Sequence, residues 1–175
     1  MKLEIISNKK EAKYIFMTGL LTEDKNRLNY SSKEFELAWN KWLNFYVLYN
    51  DEREIICFCG IRKFDGGYGR IFDRYFCMPE YRMPTFSGVN EVYSLYFIAK
   101  LVHDCREAKL IPFFSIQSDK KKRVIKLVVK KFNKLLLQED KFKVLNGLYC
   151  TAPNSWQNIA ITYPYEIILK RKQNG

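Results

Sequence analysis

The sequence predicts a mixed α/β (α+β) fold in a single domain spanning residues 1–175, and three observations predict it. Helix-period and strand-type apolar segments follow one another along the whole chain, with no internal repeat, low-complexity tract or linker between them. Three strand-like runs occupy residues 45–78, separated only by Asn50-Asp51-Glu52-Arg53 and by Asp65-Gly66-Gly67, which is the pattern of an antiparallel meander. A hydrophobic content of 47% with 16% aromatics supplies a core and argues against disorder. A chain of 175 residues buries about two-thirds of its unfolded surface, so neither disulfide nor metal is needed for it to fold.

Leu3 to Ser7 reads as a short strand, after which Ser7 or Asn8 can cap a helix with Ala12, Ile15, Phe16 and Leu20 on one face. Ser31 and Glu34 have capping-box spacing for a second helix with Phe35, Ala38, Trp39 and Trp42 inward. The meander strands are Phe45 to Tyr49, Glu54 to Phe64 and Tyr68 to Met78, and the unbroken apolar run Ile55-Ile56-Cys57-Phe58-Cys59 marks the middle one as covered on both faces. Pro79 lacks a ladder donor and biases Met78 away from helix, ending the third strand. Glu91 to Ala108 is expected to be the most buried helix, with Val92, Leu95, Tyr96, Ala99 and Val102 on one stripe and Phe97, Ile98 and Leu101 nearly closing the circle. Leu110 to Gln117 is a strand. Ser118 or Asp119 then caps a helix reaching Leu137, with Val124, Val128, Phe132 and Leu135 as its apolar face. Phe142 to Thr151 and Gln157 to Leu169 are strands, the second interrupted by Pro164 as an edge or bulge would be, and Lys170 to Gly175 is a frayed basic end.

The formal charge of +11, from 30 basic and 19 acidic residues, favours anionic partners: nucleic acid, an acidic protein or a phosphorylated cofactor. Five cysteines, an odd number, read as small core residues in a reducing compartment rather than a disulfide framework. Cys57 and Cys59 would share one strand face, but no second Cys or His pair completes a metal site, so no metal is expected. The first ten residues are too poor in apolar side chains for a signal peptide and no apolar run reaches spanning length, so a cytoplasmic protein without membrane association is expected. His103, the only histidine, has no Ser-His-Asp or Cys-His constellation around it and reads as a solvent-edge residue.

Candidate chemistry concentrates between Gly69 and Gly88. A strand carrying Asp73 stops at Pro79, and a loop with Arg82, Thr85, Ser87 and Gly88 leads straight into a helix, so that unpaired helical N–H groups and the helix dipole face a cation and two hydroxyls. That arrangement suits an anion. A second cationic feature, Lys120-Lys121-Lys122-Arg123, opens the last predicted helix at the end where cations oppose the dipole.

The element order is strand, helix, helix, three-strand meander, helix, strand, helix, strand, strand, and it resembles the GNAT acyltransferase superfamily along essentially the whole chain. Tyr75-Phe76-Cys77-Met78-Pro79-Glu80-Tyr81-Arg82 looks like the end of that family's fourth strand, where it leads into the acyl-CoA pyrophosphate loop. The resemblance implies an N-acyltransferase using acetyl-CoA or another acyl-CoA, with a small-molecule or macromolecular amine as acceptor. It implies a ligand cleft where the strands Tyr68–Met78 and Leu110–Gln117 splay apart, with pantetheine beside Cys77 and Met78. The pyrophosphate would lie on Arg82, Thr85, Phe86, Ser87, Gly88 and Val89, Thr85 standing where the family usually has glycine and Ser87 where it has glycine or alanine. It also makes Asp73, four residues before Cys77, a candidate general base, since a carboxylate in an apolar cleft is suited to deprotonate an amine; pairing of Asp73 with Arg70, Arg74 or a neighbouring strand is the alternative. The family's usual tyrosine acid has no counterpart on the helix Lys120–Leu137, so by the resemblance that role is vacant or moves to a residue such as Tyr149. A second function class is a GNAT-like scaffold without catalysis that binds nucleic acid or an acidic protein through Lys120, Lys121, Lys122 and Arg123, Lys130–Lys134 and Lys170–Lys172.

Overall fold

The structure, a computed structural model, describes residues 1–22, 31–81, 91–117, 122–152, 155–163 and 165. Its elements run β1 (Lys2–Ile5), α1 (Lys9–Thr22), α2 (Ser32–Trp39), β2 (Trp42–Tyr49), β3 (Ile55–Phe64), β4 (Tyr68–Cys77), α3 (Glu91–Glu107), β5 (Ile111–Gln117), α4 (Lys122–Asn133), β6 (Lys143–Ala152) and β7 (Ser155–Ile161). The mixed α/β order is the one the sequence predicts. The strands form one sheet in the order β1-β2-β3-β4-β5-β7-β6, and the chain divides into two compact units, residues 1–63 with 71–97 and residues 64–70 with 98–175. Among the described residues no helix is long and apolar enough to cross a membrane.

In the first unit, Asn8 rather than Ser7 caps α1, its Oδ1 accepting from the Glu11 N–H at 3.0 Å. Ser31 Oγ accepts from the Glu34 N–H at 3.2 Å, which is half of the expected capping box; the Glu34 carboxylate binds Arg74 on β4 instead, at 2.8 Å. The second helix ends earlier than the apolar pattern suggests. Lys41 N–H turns back onto the Ala38 carbonyl, so Trp42 begins β2 instead of extending the apolar face of α2. β1 and β2 are antiparallel, as are β2 and β3. Ile56 to Ile61 of β3 are buried without a break, the two-sided burial that their continuous hydrophobicity requires. The core here is largely aromatic. Phe16, Phe35, Trp42, Phe45, Phe58 and Phe76 meet edge-to-face, tilted or stacked, with Trp42 lying on Phe45 at 5.0 Å between centroids and Phe58 on Phe76 at 5.5 Å. Each such pair adds about 0.5–1.5 kcal/mol beyond its buried area.

In the second unit, the turn into β4 uses Gly66 and Gly67 at φ of 88° and 83°, a conformation that a side chain resists. Tyr68, Gly69 and Arg70 then pair in parallel with Ile111, Pro112 and Phe113. β5 pairs antiparallel with β7, and β7 with β6. Tyr68, Phe113, Ile159 and Ile161 form one buried cluster, and Phe114 packs against Phe132 of α4 and against Phe142. α4 is shorter than expected, because the Asn133 amide exchanges two hydrogen bonds with the Phe142 backbone, at 2.9 and 2.7 Å, and stops it there. Leu135 is consequently 54% exposed instead of lying on the apolar face. The buried stripe of α3 is also rotated from the expected one: Ser94, Phe97, Ile98, Leu101, Val102 and Cys105 are buried, while Tyr96 and Ala99 face outward. A buried serine at the start of that stripe is what hides it from an apolar-residue count.

The side-chain cap is expected to matter measurably. Ser31→Ala should cost about 1 kcal/mol and lower the melting temperature by roughly 2–4 °C, a shift typical of that cost in a chain of this size; a differential scanning calorimetry trace superposable on that of the parent protein would refute the cap.

Candidate active site

The predicted catalytic strand is distorted where the candidate carboxylate lies. Phe72 and Arg74, flanking Asp73, have φ of 57° and 53°, a left-handed conformation that single non-glycine residues hold only when their surroundings impose it. The in-out alternation of β4 slips beside it: Ile71 and Asp73 are buried, Arg74 and Tyr75 are both partly exposed, and Phe76 and Cys77 are both buried. Asp73 is 3% exposed. Its Oδ2 accepts a hydrogen bond from Trp42 Nε1 at 2.8 Å.

That bond spans a strand. Trp42 belongs to β2 and Asp73 to β4, with β3 between them in the sheet, and the indole reaches across at Gly60. A Cβ at residue 60 would stand 2.4 Å from Trp42 Nε1, closer than real contacts allow, so only glycine admits the ring there. The β2–β3 register helps, shifting between Trp42↔Arg62 and Phe45↔Gly60 and so re-aiming the Trp42 side chain. Neither Trp42 nor Gly60 stands out as a functional residue in the sequence; the only available signal is a glycine inside an otherwise apolar strand run.

Neighbouring groups are strongly desolvated. Burial pushes the Cys59 thiol well above its ordinary pKa, with Cys57 and Asp73 pushing the same way. Burial likewise raises Cys57, and raises Tyr75, where Cys57 and Cys77 add to it. In α3 burial pushes Cys105 up to about 12. Arg74 leaves the strand on the other side of Asp73 and pairs with Glu34, its Nε buried without a hydrogen-bond partner among the described residues. Among the described residues no three His, Cys, Asp or Glu side chains are placed to hold a metal ion.

At the end of β4, Met78 N–H donates to the Ile56 carbonyl of β3 at 2.8 Å, and Cys77 and Met78 are buried. A 3-10 turn at Pro79–Tyr81 follows. It is pinned by the Tyr81 hydroxyl, which receives a hydrogen bond from Asn50 Nδ2 at 2.9 Å and donates to Glu54 Oε2 at 3.2 Å. Arg82, Thr85, Phe86, Ser87, Gly88 and Val89 lie outside the described residues, as do Lys120, Lys121 and Lys170–Lys172. Tyr149 lies on β6 opposite Gln157, its side chain outside the described part. Lys122 opens α4, followed by an exposed Arg123, and His103 is exposed. Asp73, Cys77 and Met78 thus fall in the first unit, with Trp42 as a partner that the sequence did not reveal.

No protein-family model matches the sequence, and no curated protein matches it. Solved structures do resemble the fold. An acetyltransferase of the GNAT family from Staphylococcus aureus Mu50 matches with a TM-score of 0.55 at 14% identity, covering 92% of this chain and 98% of its own. The spermidine N-acetyltransferase of Vibrio cholerae, solved with CoA and spermine, matches with a TM-score of 0.52 at 11% identity, covering 94% and 96%. The chain has the GNAT acetyltransferase fold.

Gly60→Ala is expected to cost about 1–3 kcal/mol by overpacking, and to cost little in a Trp42→Leu background, where the indole is gone. A urea double-mutant cycle reads the difference, and additive losses would show that the two residues are not coupled. The thiol shifts predict inert cysteines: with ionisation suppressed by burial, Cys57, Cys59 and Cys105 should stay unalkylated by iodoacetamide at pH 8 in the folded protein and react only after unfolding. Mass spectrometry of peptides from native and unfolded samples decides this.

Proposed function

We propose that the protein is an acyl-CoA-dependent N-acyltransferase that transfers an acyl group to an amine. The observation that carries the reading is β4 in its GNAT setting: a buried carboxylate between two left-handed residues, in a strand that ends at Pro79 in a pinned turn and is followed by the segment 82–90 and α3. The residue types suit the cofactor. Arg82 offers a charge-assisted contact to pyrophosphate, Thr85 and Ser87 offer hydroxyls, and Phe86, Gly88 and Val89 offer backbone N–H groups before the positive end of α3. Pantetheine would run beside Cys77 and Met78; since the Met78 N–H is committed to Ile56, the backbone at Cys77 is the better partner.

When bound, acyl-CoA supplies a thioester carbonyl. The proposed role of Asp73 is to accept a proton from the amine as its nitrogen bonds to the acyl carbon, and that of Tyr149 is to return a proton to the sulfur as the carbon–sulfur bond breaks. Trp42 restrains the Asp73 carboxylate meanwhile. The Vibrio cholerae neighbour makes spermidine and spermine natural first acceptors to assay. The formal charge of +11 works against a polycation and in favour of a neutral or acidic acceptor, so amines of both kinds belong in the screen.

Thermal-shift and calorimetric titrations with acetyl-CoA, CoA and longer acyl-CoAs test this reading. A ligand at ~100 times its dissociation constant should add about 2.7 kcal/mol of stability. Arg82→Ala should remove roughly 1.5–3 kcal/mol of binding, whereas Asp73→Asn should leave binding intact and slow amine-dependent CoA release by about 10²–10⁴-fold. Absence of any shift up to millimolar acyl-CoA would overturn the proposal.

A further inference from the structure

We infer that the exposed face of α4, continued by Lys141, is a binding surface for the phosphate backbone of a nucleic acid, independent of the acyl-transfer reading. Lys126 and Lys130 stand one turn apart on α4, about 6 Å along its axis, and Lys134 follows at the same interval just past its end. With Lys141 they surround an open groove of about 500 Å³ whose floor is Val129 and Val144. The opposite face of α4, Ile125, Val128 and Phe132, is buried, which fixes the lysine face outward.

The charges on this face are uncompensated. α4 contains no acidic residue, and among the described residues none of the four lysines makes an ion pair. Several cations elsewhere are paired: Lys9 and Lys13 both reach Glu36, Arg53 reaches Glu4, Arg74 reaches Glu34 and Arg106 reaches Asp140. Like charges four residues apart on a helix are mutually destabilising, and an anion spanning them would reverse the sign of that term.

The chemistry of the groove selects the class of anion. A protein partner needs a desolvated apolar or aromatic anchor at the centre of the contact, and this groove offers two valines and no aromatic ring. A lone phosphate needs converging donors, whereas these cations are spread in a row over an open surface. An anionic membrane would call on an apolar face to insert, and that of α4 is already buried. A row of cations with little to read bases suits backbone contacts that position without specifying. The amide of Asn133, the groove's one neutral polar side chain able to read a base edge, is occupied by the Phe142 backbone. Binding should therefore be indifferent to sequence. The surface takes Lys130 and Lys134 from the Lys130–Lys134 stretch that the sequence brings forward and adds Lys126 and Lys141, which it does not.

The test is fluorescence anisotropy with two short duplexes of unrelated sequence at ~50 mM salt and upward, a condition under which backbone contacts are strong. The intact protein should bind both alike. The triple variant Lys126→Glu, Lys130→Glu, Lys134→Glu should weaken binding tenfold or more, and each lysine lost should flatten the log–log salt slope by about 0.9. The triple variant Lys10→Glu, Lys33→Glu, Lys63→Glu makes the same change in net charge at exposed positions elsewhere and should alter affinity by less than about threefold, distant charges being screened. If the α4 triple variant fails to fold by circular dichroism, Lys130→Gln alone still reports through its slope. Absence of binding at ~50 mM salt overturns the inference, as do equal losses in the two triple variants, or tighter binding to poly-glutamate or to phosphatidylserine vesicles than to the duplexes.

Discussion

One hydrogen bond, from Trp42 of β2 to Asp73 of β4 across Gly60 of β3, ties three strands of the first unit together. It explains why Trp42 leaves the helix preceding it, why β2 shifts register beside it, and why a glycine is tolerated in a strand buried without a break from Ile56 to Ile61. It also gives a physical reason for the left-handed residues on either side of Asp73: a carboxylate 3% exposed is expensive to bury without partners, and turning it toward an indole N–H is worth local backbone strain. The aromatic core then grows outward from the same ring, which contacts Phe16, Phe35, Trp39 and Phe45.

How much of this was legible depended on the range of the interaction. The meander was readable because Asn50–Arg53 and Asp65–Gly67 carry their turn chemistry locally, and the two-sided burial of Ile56–Ile61 because it needs only a run of apolar residues. The end of α2 was not, because what draws Trp42 away is an acceptor thirty-one residues on. Likewise Asn133 ends α4 through Phe142, nine residues later, and no helical period records that. In the candidate site the carboxylate's place on β4 was readable and its candidate role came from the family resemblance, while its indole partner and the glycine beneath it were not readable, since neither is a titratable or motif residue. Tyr149 and the residues from Arg82 to Val89 rest on the family resemblance together with loop chemistry.

The distribution of charge adds a second organising fact. Exposed ion pairs contribute little stability, typically about 0–1 kcal/mol, so the pairs Lys9 and Lys13 with Glu36 and Arg53 with Glu4 matter less for holding the fold than for cancelling local fields. Where that cancellation is missing, along Lys126, Lys130, Lys134 and Lys141, a formal charge of +11 becomes a directed field rather than a diffuse one.

Gly60 and Trp42 also restrict how this sequence can change over generations. Any side chain gained at position 60 while the indole is present meets it at 2.4 Å, so that substitution is closed as a first step. Loss of the indole is open as a first step, and it removes the obstacle. The two positions can therefore drift in one order only, the larger residue shrinking before the smaller one grows, and a lineage that has taken both steps has also released its β4 carboxylate.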